Sequence, residues 1–132
     1  MPQHRIDTEE LPYLPEKIPK KEYLGIQGFL SLDMRVGEIL EVEQFPEMKK
    51  PSYKIKVNFG PVIGILWTSA QVTNYSRGEL IGRKVVGAIN LGDKTLPKGF
   101  LSQFLILGAL ESDGTVQLLQ VPSNTLLGSI IS

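Results

Sequence analysis

Between Tyr53 and Phe59, apolar and polar positions alternate without a break. Tyr53, Ile55, Val57 and Phe59 fall on one side, and Lys54, Lys56 and Asn58 on the other. Successive side chains of a strand point to opposite faces, so this pattern predicts a half-buried strand. MRVGEILEVEQF, from Met34, repeats the theme more loosely: Val36, Ile39 and Val42 stand among Arg35, Glu38, Glu41 and Glu43, with Gly37 allowing a bend or bulge. VIGILW, after the Gly60-Pro61 turn, reads as a buried strand, and RKVVGAINL as another that Gly92-Asp93 breaks. FLSQFLILGAL is the most apolar segment. Ser112-Asp113-Gly114 then turns the chain into TVQLLQV.

Helical spacing is rarer. NYSRGELIG is the one mid-chain stretch with helical character. KKEYLGIQGFL, residues 20–30, predicts a short helix whose Tyr23, Ile26, Phe29 and Leu30 pack on the body of the protein. Pro2, Pro12, Pro15 and Pro19 punctuate an irregular arm over residues 1–19. The expected architecture is all-β: a five-stranded barrel of OB type with a short helix between strands 3 and 4. A sandwich is the alternative. Residues 1–30 form an N-terminal arm and helix, residues 31–132 the barrel domain, and PSNTLLGSIIS a C-terminal extension.

Charge changes this picture. The 132-residue chain carries 14 basic and 14 acidic side chains, so it is neutral overall. Yet nine lysines and arginines lie from Lys49 to Lys98 against only Glu79 and Asp93, a net of +7. Such segregation favours an anionic partner, or is balanced after folding by the acidic N-terminal part. The chain has no cysteine, and its one histidine, His4, falls in the arm. Thiolate and histidine metal sites, a cysteine nucleophile and a Ser-His-Asp triad are therefore not expected. GELIGRK lacks the spacing of a phosphate-binding loop. No apolar stretch is long enough to span a bilayer, and no secretory leader is visible, which predicts a cytoplasmic protein with no membrane insertion. The pattern points to binding rather than catalysis, with no cofactor, no metal and no catalytic residue expected.

Five segments carry a resemblance: DMRVGEI (33–39), FPEMKKPSYKIKVNFG (45–60), TSAQVTNY (68–75), ELIGRKVVGAINL (79–91) and KGFLSQFLILG (98–108). In this order they resemble the tRNA-binding OB-fold family, which includes the C-terminal dimerisation domain of bacterial methionyl-tRNA synthetase. The lysine-rich loop and the Ser-Ala-Gln-Val-Thr run are similar to its CsaA branch of secretion-related chaperones. The resemblance covers about residues 32–131. It implies a non-catalytic homodimer that binds unfolded or export-destined polypeptides, tRNA structure, or both. It also implies roles for Asn90, Lys94 and Ser102, for the basic loop and strand residues Lys49, Lys50 and Lys54, and for the closing segment. Leu126, Leu127, Ile130 and Ile131 would form the subunit interface.

The chain departs from that pattern in three places. Leu66 and Trp67 stand where relatives carry a basic pair, Leu101 where a cation commonly follows Gly-Phe, and Leu96 where a methionine is frequent. Fewer cations mean fewer phosphate contacts and a larger apolar surface, a shift from tRNA toward peptide or toward an extra interface with the N-terminal arm. The expected tRNA- or peptide-binding set is Lys49, Lys50, Lys54, Leu66, Trp67, Ser69, Gln71, Asn90, Lys94, Lys98, Leu101 and Ser102. Leu66, Trp67 and Leu101 are expected on the groove rather than inside the barrel. Several members keep two readings. Trp67 is packing or a stacking platform, Lys54 with Lys56 a solvated face or a phosphate strip, and Gln71 a helix-region cap or a peptide contact. Ser102 calls for a structural hydrogen-bond partner, and Arg35 for pairing with Asp33 or Glu38.

Overall fold

The computed structural model describes residues 12–132; residues 1–11, with His4 and much of the proposed arm, lie outside the described residues. Five strands make one antiparallel sheet: β1 (Met34–Gln44), β2 (Tyr53–Asn58), β3 (Ile65–Ala70), β4 (Lys84–Ala88) and β7 (Leu105–Ile106). Their order is β3-β2-β1-β4-β7. Two short ribbons complete the strands: β5 (Lys94–Leu96) with β6 (Phe100–Ser102), and β8 (Gly108–Leu110) with β9 (Val116–Leu118). The sheet curls into a nearly closed barrel. Its open edges meet where the Gln103 N–H donates 2.8 Å to the Trp67 carbonyl and the Thr68 hydroxyl donates 2.7 Å to the Phe104 carbonyl.

β1 can serve two neighbours because it bends. Met34–Glu38 pairs with β4 and Glu38–Gln44 with β2, and the register slips between Ile39 and Glu41. The expected bulge thus sits two to four residues beyond Gly37. Gly37 answers a different need: a Cβ there would collide with Val57 and Phe59 of the core. The alternation from Tyr53 to Phe59 is realised in full, with Tyr53, Ile55, Val57 and Phe59 buried beside Ile39, Val42, Leu80, Val85 and Phe104. The Tyr53 hydroxyl finds the Tyr75 carbonyl at 2.9 Å.

The short helix between β3 and β4 is α2 (Arg77–Leu80). Ser76 caps it, and Glu79 returns a bond to the Ser76 N–H, a reciprocal box that satisfies two otherwise idle donors. The Ser-Asp-Gly turn joins β8 to β9, with the Asp113 carboxylate accepting from Thr115 N–H and hydroxyl.

Two expectations need correction. VIGILW is not a buried strand: Val62 and Ile63 lie in a turn, β3 starts at Ile65, and Val62 and Ile65 are exposed. A Phe59 N–H bond to the Gly64 carbonyl closes that turn and delays the strand. FLSQFLILGAL, the most apolar segment, divides into three short strands, because the chain must leave the β5–β6 ribbon, close the barrel and start the last hairpin within eleven residues. The N-terminal helix, α1, begins only at Ile26 and runs to Ser31, after Gly25 in a left-handed conformation (φ 80°). Its apolar residues do not pack on the barrel of this chain: Tyr23, Leu24, Ile26 and Leu30 are exposed, Tyr23 by 90%. Tyr13, further upstream, is instead the buried residue among the described residues of the arm, and its N–H bonds the Ser112 carbonyl.

Candidate functional site

The nine basic residues of the +7 stretch divide into two groups. Five are held by the fold. Arg77 donates to the Val42 carbonyl, Arg83 to the Glu79 carbonyl and the Gln120 amide, and Lys84 to the carbonyls of Ser123 and Thr125. Lys56 pairs with Glu41 at 3.3 Å across β1 and β2. Lys54 stands opposite Glu43 in the same register, with its Nζ 4.7 Å from the Phe45 ring centre and 5.4 Å from that of Phe100. Lys54 and Lys56 are thus balanced by the acids of β1, as opposite charges facing across strands should be.

The other four, Lys49, Lys50, Lys94 and Lys98, are exposed and gather around one cavity. It has a volume of about 690 Å³. The loop after β1 supplies Met48, Lys49 and Lys50; the end of β3 supplies Ser69 and Gln71; the β5–β6 ribbon supplies Lys94 and Ser102. Lys98 follows Pro97, itself part of the wall. The body of the cavity is apolar, through Met48, Ala70, Leu96, Phe104 and Leu105, and Glu47 is the acid at its rim. This is the face of an OB barrel between the strand 1–2 and strand 4–5 loops, where OB folds bind oligonucleotides and oligosaccharides. The Ser69 Oγ is buried there with no hydrogen-bond partner among the described residues. Ser102 has the partner its position called for, since its Oγ lies 3.2 Å from that of Thr68.

A second cavity, about 430 Å³, opens on the other side of β6. Trp67, Phe100, Leu101, Gly99 and Gln103 form its walls, with Lys54 and Glu43 at its edge. Trp67 sits edge-to-face with Phe100 (6.1 Å), and Phe100 with Phe45 (5.2 Å). The side-chain amide of Gln103 accepts from the Trp67 N–H at 3.0 Å and fixes the backbone of this wall.

The predicted residues therefore fall into separate places. Lys49, Lys50, Ser69, Gln71, Lys94 and Ser102 meet in the first cavity, with Lys98 beside it. Lys54, Trp67 and Leu101 meet in the second. Leu66 joins neither: it pairs with Val57 and packs against the core, since strand alternation turns it inward when Trp67 faces out. Asn90 lines neither cavity. Its amide accepts from the Asp33 N–H and donates to the Ser31 carbonyl, both at 2.8 Å, so it splices the end of α1 to the end of β4. Arg35 pairs with Asp33 at 2.6 Å and reaches the Gly128 carbonyl. Phe100 and Gln103, which sequence reasoning passed over, complete the second cavity. The chemistry of neither residue announced this; only their place beside the ribbon does.

Of the four C-terminal residues, Leu126 and Ile130 are exposed, by 78% and 64%, whereas Leu127 and Ile131 are half-buried on their own chain. Ile131 packs with Met34, Val86 and Ala88. Among the described residues no group of three or more His, Asp or Glu is placed to hold a metal, and no helix is long and apolar enough to cross a membrane.

The family described as "Putative tRNA binding domain" matches residues 34–129. Among solved structures, a CsaA chaperone protein from Picrophilus torridus is 39% identical with a TM-score of 0.77, over 83% of this chain and 100% of that one. The chaperone CsaA of Bacillus anthracis is 34% identical with a TM-score of 0.78, over 84% and 100%. A methionine–tRNA ligase of Methanococcus vannielii is 39% identical over 96% of this chain. The chain spans 19% of that ligase's length. By its matched residues, its barrel and these likenesses, the chain belongs to the tRNA-binding OB-fold family and is a CsaA-like member of it.

Proposed function

We propose that this chain is a non-catalytic binding protein that holds extended polypeptide in the cavity between the loop after β1 and the β5–β6 ribbon. The observation that carries the reading is the clustering of cations. Lys49, Lys50 and Lys94 line one half-apolar cavity, and Lys98 follows Pro97 of its wall. An apolar body suits side chains of an unfolded segment, and a cationic rim selects among them by charge. The CsaA chaperones that the chain resembles give the polypeptide its place in this reading. Unfolded or preprotein polypeptides in the cytoplasm are the proposed clients. The working form would be a homodimer, in which a second copy covers Leu126 and Ile130.

A second reading has its own support. The matched family is named for tRNA, and Lys49, Lys50 and Lys94 can track phosphates in the same cavity. Salt separates the two. Phosphate contacts release counterions, so affinity falls steeply as salt rises, while apolar contact does not. Titration with a chemically unfolded protein and with bulk tRNA, each at two salt concentrations, is the test. Salt-tolerant binding of the unfolded protein, weakened by charge reversal at Lys49, Lys50 and Lys94, supports the first reading. Binding of tRNA alone, with a salt slope that flattens by about one unit for each lysine reversed, supports the second.

A further inference from the structure

The second cavity is unlike the first in charge and in wall. Its edge carries Lys54 and Glu43, which face each other in register, and Lys56, whose Nζ lies 5.9 Å from the Trp67 ring centre, is paired with Glu41. The ammonium of Lys54 is held against the rings of Phe45 and Phe100. The local field is thus near neutral, and a phosphate backbone gains little there. Its walls instead present the indole of Trp67 beside Phe100 in an edge-to-face row, and Leu101, 45% exposed. Half-buried aromatic and exposed aliphatic surface in a concave, neutral setting suits a large uncharged side chain, which is desolvated on entry.

We infer that the Trp67 cavity seats one aromatic side chain of a bound polypeptide, from a segment that also carries carboxylates. Adjacent residues of β6 connect the two sites. Leu101 faces the neutral cavity, and Ser102 faces the cavity rimmed by Lys49, Lys50 and Lys94. An extended segment crossing β6 therefore places neighbouring side chains in unlike surroundings: an aromatic ring against Trp67, and acids against the lysines. Neutral wall and cationic rim together specify an aromatic-acidic stretch. This rests on the polypeptide reading above and gives it a client chemistry.

Trp67 is the only tryptophan, so its fluorescence reports on the seat directly. The probes are short tryptophan-free peptides of glycine, serine and aspartate. One set carries phenylalanine, a matched set carries alanine in its place, and a third carries phenylalanine with lysine for aspartate. The expected result is that the first set binds about tenfold or more tightly than either other set, as an anchor side chain should, and shifts the Trp67 emission. Trp67→Ala and the surface change Leu101→Lys should each abolish the phenylalanine preference, read for the variants by anisotropy of labelled peptide. Both should retain the wild-type circular dichroism, since Leu101 is exposed and the Trp67 N–H and carbonyl keep their bonds to Gln103. Equal binding of phenylalanine and alanine sets, or a preference that survives both variants, overturns the inference. So does oligouridine, if it quenches Trp67 with a steep salt slope, since the seat would then be a base platform. If charge reversal at Lys49, Lys50 and Lys94 abolishes peptide binding while Trp67→Ala does nothing, the polypeptide reading stands and the aromatic seat falls. If neither unfolded protein nor any peptide binds, both fall.

Discussion

The hydroxyl of Thr68 donates to the carbonyl of Phe104 across the seam of the barrel, at 2.7 Å, and both residues are buried. The sheet needs this bond because β7 is only two residues long and cannot close against β3 by a full ladder. Thr68→Val keeps the shape and removes the donor. The abandoned carbonyl should cost about 1–3 kcal/mol, read as a lower midpoint in urea without a change of slope. A midpoint equal to wild type would show that the seam is held elsewhere.

Gly37→Ala tests the close approach of β1 to the core. The new methyl has nowhere to go between Val57 and Phe59, both fully buried. Overpacking of this kind should lower stability by about 1–3 kcal/mol. An alanine variant as stable as the parent would mean that the two side chains yield more readily than a packed interior does.

Lys98 is the single described non-glycine residue with a left-handed backbone (φ 64°), at the turn of the β5–β6 ribbon. Its side chain adds a cation beside the lysine-rimmed cavity at a cost in backbone strain. Lys98→Gly should therefore leave thermal stability equal or higher by up to about 1 kcal/mol, while lowering affinity for an anionic ligand. A clear fall in stability would contradict the assignment of strain.

Leu126 and Ile130 face solvent in the single chain. Light scattering at micromolar concentration should give twice the 14.6 kDa chain mass, and Leu126→Asp with Ile130→Asp should return it to one. A wild-type monomer would remove the homodimer from the proposal.

Glu79 gives the capping box a pH dependence. Hydrogen bonds from the Ser76 backbone, then from its hydroxyl, hold the Glu79 carboxyl below the ordinary glutamate value of 4.5. The unfolded chain thus takes up this proton at higher pH than the folded one. The stabilisation is complete above 4.5 and fades as pH drops beneath it. Thermal midpoints measured from neutral pH down to pH 3 should fall less for Glu79→Gln than for wild type over the acid range. Parallel curves would show that the box contributes nothing.

Much of the barrel was legible because a two-residue period declares which face of a strand is buried. Tyr53, Ile55, Val57 and Phe59 follow it without exception. The site was legible only in part. Periodicity could not say that Leu66 turns inward while its neighbour Trp67 turns out, because the strand starts three residues later than the apolar run does. Composition could not separate Lys84, clamped by two carbonyls, from Lys94, exposed at the cavity. Asn90 has the chemistry of a ligand contact and is used as a splice between backbone ends. In each case the missing information is a partner distant in sequence.

The last turn of the chain lies along the first strand. Gly128 N–H bonds the Val36 carbonyl, Val36 N–H the Ser129 carbonyl, and Ile131 N–H the Met34 carbonyl. Arg35 reaches Gly128 across a separation of 93 positions. This lacing makes the first strand's outer edge depend on residues far along the chain. The β1–β2–β3 meander pairs neighbouring segments, but the outer edge of Met34–Val36 stays an open template until Gly128–Ile131 pair with it. A growing or truncated chain that lacks Gly128–Ile131 would present that edge to other molecules, and a partner fused directly to Leu127 in place of the tail would leave it so permanently.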